Sequence, residues 1–545
     1  MSRFTDHLCA IAASGDRGMV TGIPSTPTRR SWSDIHTKSR RIAGGLAGHG
    51  IGRGATVAVL AGQPGAIAPV AQAIWLRGAA ITMLQQPTPR TDLTRWLGET
   101  RRVLEMIDAD LIIVGDPFIG RLTGDTTMPV VAIDDLVHGP DLLPVDPDED
   151  DPALLQLSSG STGDPKAVVI THRNLYANIT AFLDRSGLQR EPDQVAVSWL
   201  PLFHDMGMIA FLALPMMTGM ELVSVTPGDF LADPLLWADL ITRYRGTFTA
   251  APNFAYAFLG DQLRRVADDD AYDLSSMRYA VNGAEPIDCV AMAQFHDATG
   301  RFGWSPTALT PGYGMAEAVL TVAAPEPGVG LRTDRIDSRI LESERRAQPV
   351  DDGREYANLG PALPGLDVRV VNPDDGTVLE PRRIGEFELR GEYVTATVIT
   401  SDGPIAAQDD DGWLRTGDIG YLTEHGELII CGRRKDVIIV SGRNLYPTDI
   451  EHAAERVTGV RKGNTAAVAL EAGTAAEHFA VIAESAHHDE QAVQLRRAIS
   501  VEIFETFGVA PRRVRIVPPG SLPKTSSGKL RRADARALVA RSTGI

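Results

Sequence analysis

Cysteine is scarce in this chain. Cys9, Cys289 and Cys431 are the only three in 545 residues, and an odd, widely spaced set argues against both a disulfide framework and a thiolate metal site. Long hydrophobic runs are missing too. The most apolar internal stretch, GMIAFLALPMM, falls short of the about 18 residues expected of a membrane-spanning helix. The N-terminal MSRFTDHLCAIAASGD has no apolar core of secretory type, so a cytoplasmic protein is expected. Positive charge is in deficit, with 53 Lys and Arg against 70 Asp and Glu and a net charge of -17. Nucleic acid and anionic lipid both reward a basic face, which argues against either as the main partner. Hydrophobic content of 43% and charged content of 23% are those of an ordinary globular protein. At roughly 100 to 200 residues per domain, the length predicts three or four folding units.

What is present begins as an α/β rhythm. SWSDIHTKSRRIAGGLAGHGI reads as an amphipathic helix capped by Ser31 or Ser33, and ATVAVLAG as a buried strand. The acidic, proline-rich HGPDLLPVDPDEDDP reads as a linker. Strand patterns continue at AVVIT, ELVSVT and MRYAVNG, with helical stretches between them, predicting a large α/β unit. From Gly365 the pattern changes to short alternating strands, LDVRVVN, GEFELRG and GELIICG, punctuated by DDG and EHG turns. A final β-α-β-like unit of about a hundred residues ends in a basic tail.

The linker leads into LSSGSTGDPK, Leu157 to Lys166. Glycines admit close backbone approach, hydroxyls donate hydrogen bonds and a lysine supplies a point charge, a combination suited to gripping phosphate. It is not a Walker loop, because Pro165 stands where that motif needs its second glycine. Taken alone, such a cluster is as readily a plain surface loop.

Further motifs follow in order: SWLPLFHDMGM from Ser198, NGAEPI from Asn282, PGYGMAEA from Pro311, WLRTGDIGYL from Trp413, GRRKD from Gly432 and LPKTSSGKLRR from Leu522. Together they resemble the adenylate-forming superfamily of acyl-CoA synthetases, adenylation domains and luciferases over nearly the whole chain. The resemblance implies a large α/β N-terminal domain, 1–433, with a β-rich subdomain at about 360–433. A small, mobile α+β C-terminal domain would cover 434–545 and pivot at Lys435. It implies ATP and Mg²⁺ as cofactors. Ser158, Ser159, Gly160, Ser161, Thr162, Gly163 and Lys166 would hold the phosphates, and Glu317 with Thr162 the metal. Tyr313, Gly314 and Met315 on one side and Gly283, Ala284 and Glu285 on the other would enclose adenine. Asp418, assisted by Arg433, would take the ribose hydroxyls. Lys529 would bridge the carboxylate and the α-phosphate, with His204 beside the carboxylate.

The forms of WLPLFHDMG, NGAEP and TAAPNFAYAFL, with Ala316 where acyl-CoA synthetases generally carry Thr, are similar to those of fatty acyl-AMP ligases. A charged segment between Glu317 and Leu359 lies where those ligases carry an insertion that restrains domain rotation. Membership would make the partners a fatty acid and a phosphopantetheinylated acyl carrier protein. TAAPNFAY, PGVGL, GRNLYP and PPGSLPKTSSGKLRR look like the ligases that supply the lipid arm of mycobactin-type siderophores. Phe254, Tyr256 and Met208 are candidates for the acyl pocket, since apolar runs suit a hydrocarbon tail, although core packing explains them equally well. A monomer or weak dimer is expected. Arg512, Arg513, Arg515, Arg531 and Arg532 are candidates for a basic patch receiving an acidic carrier. The alternatives are an acyl-CoA synthetase using CoA and a catalytically silent lipid- or nucleotide-binding scaffold.

Overall fold

Two large sheets carry the first part of the chain in the computed structural model, which describes residues 2–13, 17–88, 91–122, 126–159, 164–190, 193–440, 442–472, 474, 477–524 and 530–540. In the first sheet Thr56–Leu60, Ala80–Met83, Leu111–Val114 and Val130–Ala132 run parallel. Ala80–Met83 then pairs with Pro152–Ser159, whose other neighbour is the antiparallel Pro165–Thr171. Runs such as TVAVL and LIIV are what a parallel strand covered on both faces needs, and Val57, Ala58, Val59 and Leu60 are fully buried. The helix Trp32–Gly48 starts at Ser31, not Ser33, because Ser31 and Asp34 form a reciprocal capping box.

The second sheet has the order Leu309–Pro311, Tyr279–Asn282, Phe248–Ala251, Val195–Ser198, Glu221–Ser224, Gly18–Thr21, Thr28–Ser31. One apolar cluster, from Phe4 to Leu428, joins both sheets. The β-rich stretch forms an antiparallel sheet of Leu366–Val371, Gly385–Gly391, Leu414–Leu422 and Leu428–Arg433. Beyond it, Thr465–Leu470, His478–Glu484 and Arg513–Val517 form a sheet flanked by the helices Pro447–Glu455, Asp489–Phe507 and Arg532–Ala540. That sheet is covered by apolar clusters that begin only at Ile438. The architecture is the α/β fold expected, with a large N-terminal part and a small C-terminal one. No helix among the described residues is long and apolar enough to cross a membrane.

The charged segment after Glu317 is built as a hairpin, Arg332–Ile336 against Arg354–Asn358, enclosing the helix Ser338–Glu344. Several of its charges are spent on partners remote in sequence. Arg354 lies 2.7 Å from Glu342 and 3.0 Å from Asp449, Tyr356 donates to Asp449 at 2.9 Å, and Arg443 also pairs with Glu342. Ile336, Leu341 and Tyr356 share an apolar cluster with Tyr446. The segment therefore grips the start of the C-terminal unit.

The arginines expected to form a basic patch also make contacts within their own unit, while Arg512 and Arg513 stay exposed. Arg515 donates to the Leu538 carbonyl and Arg513 to that of Val539. Arg532 pairs with Glu451 at 2.7 Å and Arg531 with Asp534 at 3.4 Å. Carbonyls at a helix C-terminus are orphan acceptors that arginines satisfy well, so Arg513 and Arg515 fasten the last helix to the sheet.

Candidate active site

The phosphate-loop candidate joins two paired strands, with Ser158 opposite Lys166 and Ser159 opposite Pro165. Gly160, Ser161, Thr162 and Gly163 lie outside the described residues, as does Lys529. The Ser158 hydroxyl is buried with no hydrogen-bond partner among the described residues. Leaving a buried polar group unsatisfied costs about 1–3 kcal/mol, and a phosphate oxygen at this loop would fit it. Lys166 Nζ stands 2.5 Å from Glu317 Oε1.

Glu317 is aimed by a tight piece of backbone. A Cβ on Gly314 would fall 1.9 Å from the Leu320 carbonyl oxygen, so only glycine fits there. After the single turn Ala316–Ala318, Val319 adopts φ 67 and ψ -66, and Leu320 N donates to Ala318 O at 2.8 Å. This is a γ-turn with positive φ at a β-branched residue, a strained conformation costing about 1–3 kcal/mol that concentrates at functional sites.

The opposite end of the same segment holds Tyr313. Its hydroxyl donates to Asp418 Oδ2 at 2.5 Å, and Arg433 Nε lies 2.7 Å from Asp418 Oδ1. Burial first, and then the Asp418 carboxylate, push the Tyr313 phenol well above its usual pKa, so it remains a donor. The Asp418 side chain is 4% exposed. A carboxylate has two acceptor oxygens, the chemistry that a pair of ribose hydroxyls needs.

On the facing side, Ala284 has φ 67. Glu285 accepts from the Phe254 amide at 2.7 Å, which binds the NGAEP turn to the start of the helix Asn253–Leu263. That is a favourable place for a carboxylate, and it makes Glu285 a tether for the turn. Burial lowers the Lys524 pKa, while Glu484 and Glu285 oppose the shift. The charge of Glu285 therefore acts on a residue of the C-terminal unit. Lys524 pairs with Leu530 in an isolated bridge.

His204 Nδ1 is 2.5 Å from Asp205 Oδ1, just before a π-helical stretch, Met206–Ala213, a form frequent at functional sites. The acyl-pocket candidates divide. Phe254 is half-buried and lies 6.4 Å from Trp199. Met208 and Tyr256 are fully buried. Tyr256 packs edge-on against Phe295 and donates to the Val281 carbonyl at 2.9 Å, which puts it in the core behind the site, the reading its pattern left equally open.

Among the described residues no cluster of three His, Cys, Asp or Glu could hold a metal by itself. Mg²⁺ takes one or two carboxylates and completes its shell with phosphates and water, so Glu317 suits it as one ligand. Glu317→Gln is expected to raise the Mg²⁺ concentration needed for half-maximal activity; an unchanged metal titration would remove Glu317 from that role.

Residues 10–397 match the AMP-binding enzyme family. The chain is an AMP-binding enzyme. It is 50% identical to the candidate ligase Rv1013 of Mycobacterium tuberculosis over 99% of this chain and 100% of that one. It is 37% identical to the long-chain-fatty-acid–AMP ligase FadD26 of Mycobacterium marinum, over 70% of this chain and 68% of the other. A solved structure from work on fatty acyl-adenylate ligases of E. coli and L. pneumophila superposes with a TM-score of 0.91 at 29% identity, covering 99% of this chain and 98% of that one. The protein is a ligase of the adenylate-forming superfamily and falls among the fatty acyl-AMP ligases.

In this AMP-binding enzyme the structure brings Lys166, Glu317, Tyr313, Asp418 and Arg433 into two linked clusters. Sequence reading missed two residues beside the site. Trp199 stacks on Phe230 at 4.0 Å, and its buried indole N–H has no partner among the described residues; its place in SWLPLFHDMG was the available signal. Glu386 is the other, and nothing in GEFELRG marks it.

Proposed function

We propose that the protein activates a medium- to long-chain fatty acid with ATP, releasing pyrophosphate, and transfers the acyl group to the phosphopantetheine thiol of an acyl carrier protein. The observation that carries this reading is the double anchoring of the segment from Tyr313 to Glu317. Its first residue meets the carboxylate suited to ribose, and its last meets the lysine of the phosphate loop. The four steps from Tyr313 to Glu317 span at most about 14 Å, so one nucleotide can engage both ends.

Asp418 accepts the ribose hydroxyls while Tyr313 and Arg433 hold its carboxylate in place. Ser158 and Lys166 take phosphate oxygens, and nucleotide entry exchanges the Lys166–Glu317 pair for phosphate on one side and metal on the other. Mg²⁺, when bound at Glu317, offsets phosphate charge. A fatty acid oxygen then attacks the α-phosphorus, the bond to pyrophosphate breaks, and Lys529 neutralises the charge gathered between the two anions. His204, fixed by Asp205, orients the carboxylate. After the C-terminal domain turns about Lys435, the carrier thiolate attacks the acyl carbonyl and AMP leaves.

One observation favours a carrier over CoA. The Arg354–Glu342–Asp449–Arg443 network ties the hairpin to the C-terminal unit, a restraint of the kind that disfavours CoA. Residues 434–545 carry 17 Lys and Arg against 12 Asp and Glu, a net +5 beside -22 for the rest, which would help an anionic acceptor approach the mobile domain and does not by itself separate a carrier from CoA. Arg354→Ala is expected to loosen this grip and raise acyl-CoA formation relative to carrier acylation; an unchanged product ratio would remove the network from acceptor choice.

The finer assignment, the lipid arm of a mycobactin-type siderophore, is supported by the forms of TAAPNFAY, PGVGL, GRNLYP and PPGSLPKTSSGKLRR. The test of the acceptor is incubation with ATP, Mg²⁺ and a C12 to C16 acid, with either CoA or a phosphopantetheinylated carrier added, read by mass spectrometry. Acyl-AMP that persists with CoA and transfers to the carrier is expected. Rapid conversion to acyl-CoA would identify a synthetase and withdraw the siderophore assignment with it.

A further inference from the structure

Glu386 belongs to none of the nucleotide or acyl contacts above, yet it is a buried carboxylate set between two elements that matter to them. It lies on the strand Gly385–Gly391 with 4% of its side chain exposed. Oε1 accepts from the Gly417 amide at 3.1 Å, and Oε2 accepts from Arg434 Nη1 at 3.0 Å. Arg415 Nη1 waits 3.9 Å from Oε2.

The first contact shapes the turn that presents Asp418. Pairing between Gly385–Gly391 and Leu414–Leu422 shifts register between Glu386 and Glu388, and Gly417 there takes φ 73. Asp418 N donates to Thr416 Oγ1 at 3.0 Å, and that hydroxyl donates to Phe387 O at 2.9 Å. A bulge of this kind re-aims a side chain, and Glu386 holds it from the neighbouring strand. The second contact fixes Arg434, which follows the Asp418 partner Arg433 and precedes Lys435. Arg434 also donates to the Pro373 carbonyl at 3.1 Å.

We propose that Glu386 is a positioning residue that couples the ribose turn to the hinge, setting Asp418 through Gly417 and holding the last residue before the pivot through Arg434. The proposal rests on the reading that Asp418 takes ribose and that the chain turns at Lys435. A buried carboxylate is costly to leave unpaired, so movement of Arg434 obliges Glu386 to find another cation, and Arg415 is in place. The exchange links two discrete arrangements of the hinge to the turn that binds nucleotide.

Glu386→Gln keeps an oxygen for Gly417 and removes the charge facing Arg434. Arg434→Ala breaks the pair from an exposed side chain, 46% accessible, with little risk to folding. Adenylation is measured by pyrophosphate release, and transfer from purified acyl-AMP is measured separately. Each single variant is expected to change the ratio of the two rates about tenfold, the loss of one charge-assisted hydrogen bond, and the double variant is expected to add nothing further. Arg434→Lys should restore much of the ratio. A purely structural role would depress both half-reactions together and leave the ratio intact. Asp418→Asn serves as the control. If it fails to raise the KM for ATP, the ribose reading falls. If it raises KM while the Glu386 and Arg434 effects multiply, or leave the ratio unchanged, the coupling proposal is overturned.

Discussion

Lys529→Ala is expected to slow adenylation by a factor on the order of 10² to 10³, the loss typical of one donor aimed at developing charge, while transfer from preformed acyl-AMP survives. The asymmetry follows from the chemistry. Only the first half-reaction brings a carboxylate against a phosphate, so only that step needs a cation between them. Pyrophosphate release and single-turnover transfer, measured on the same preparation, separate the two steps. Equal loss in both would point to misfolding or to a different role for Lys529. Acylation of this lysine would remove the same charge and should therefore reproduce the split.

The second large effect is expected from Asp418→Ala. The carboxylate is almost fully buried and has a donor on each oxygen, Tyr313 at 2.5 Å and Arg433 at 2.7 Å. With ribose held as proposed, removing it strips the ribose of its acceptor and leaves both donors without their partner. Hydrogen bonds involving a charged group are worth about 1.5–3 kcal/mol each, so the loss of two to the ribose predicts a fall in kcat/KM for ATP on the order of 10² to 10⁴. The fall should sit mainly in KM, since ribose is held in the ground state as well as the transition state. Asp418→Asn retains one acceptor oxygen and should lose less. Equal affinity for ATP in wild type and Asp418→Ala would move the ribose elsewhere.

Much of the fold could be read from local patterns. Strand runs such as TVAVL and LDVRVVN, and the helix after Ser31, carry their burial in their own residues. Partners remote in sequence were not readable. Lys166 and Glu317 were recognisable one by one, because each residue type suits a phosphate or a metal, but nothing in either motif shows that they meet at 2.5 Å. GEFELRG alternates as a strand should, yet Glu386 and Glu388 are both only 3% exposed. Alternation marks a polar face without saying whether water or arginine covers it; here Glu386 meets Arg434 and Glu388 meets Arg369 and Arg415. The contacts of Arg513 and Arg515 were hidden for the converse reason, since spacing does not reveal a carbonyl waiting at the end of another helix. The charged stretch before Leu359 has a composition that fits a solvated loop, and its order comes from Asp449, Arg443 and Tyr446 about a hundred residues away.

The most direct test is mass spectrometry of one reaction containing the protein, ATP, Mg²⁺ and a C12 to C16 fatty acid, with pyrophosphate measured alongside. Acyl-AMP and pyrophosphate formed in equal amounts, and only when the fatty acid is present, is the predicted result. Fatty-acid binding without adenylate, or pyrophosphate release indifferent to the acid, would contradict the assignment of the Lys166–Glu317 and Tyr313–Asp418–Arg433 clusters to acyl activation.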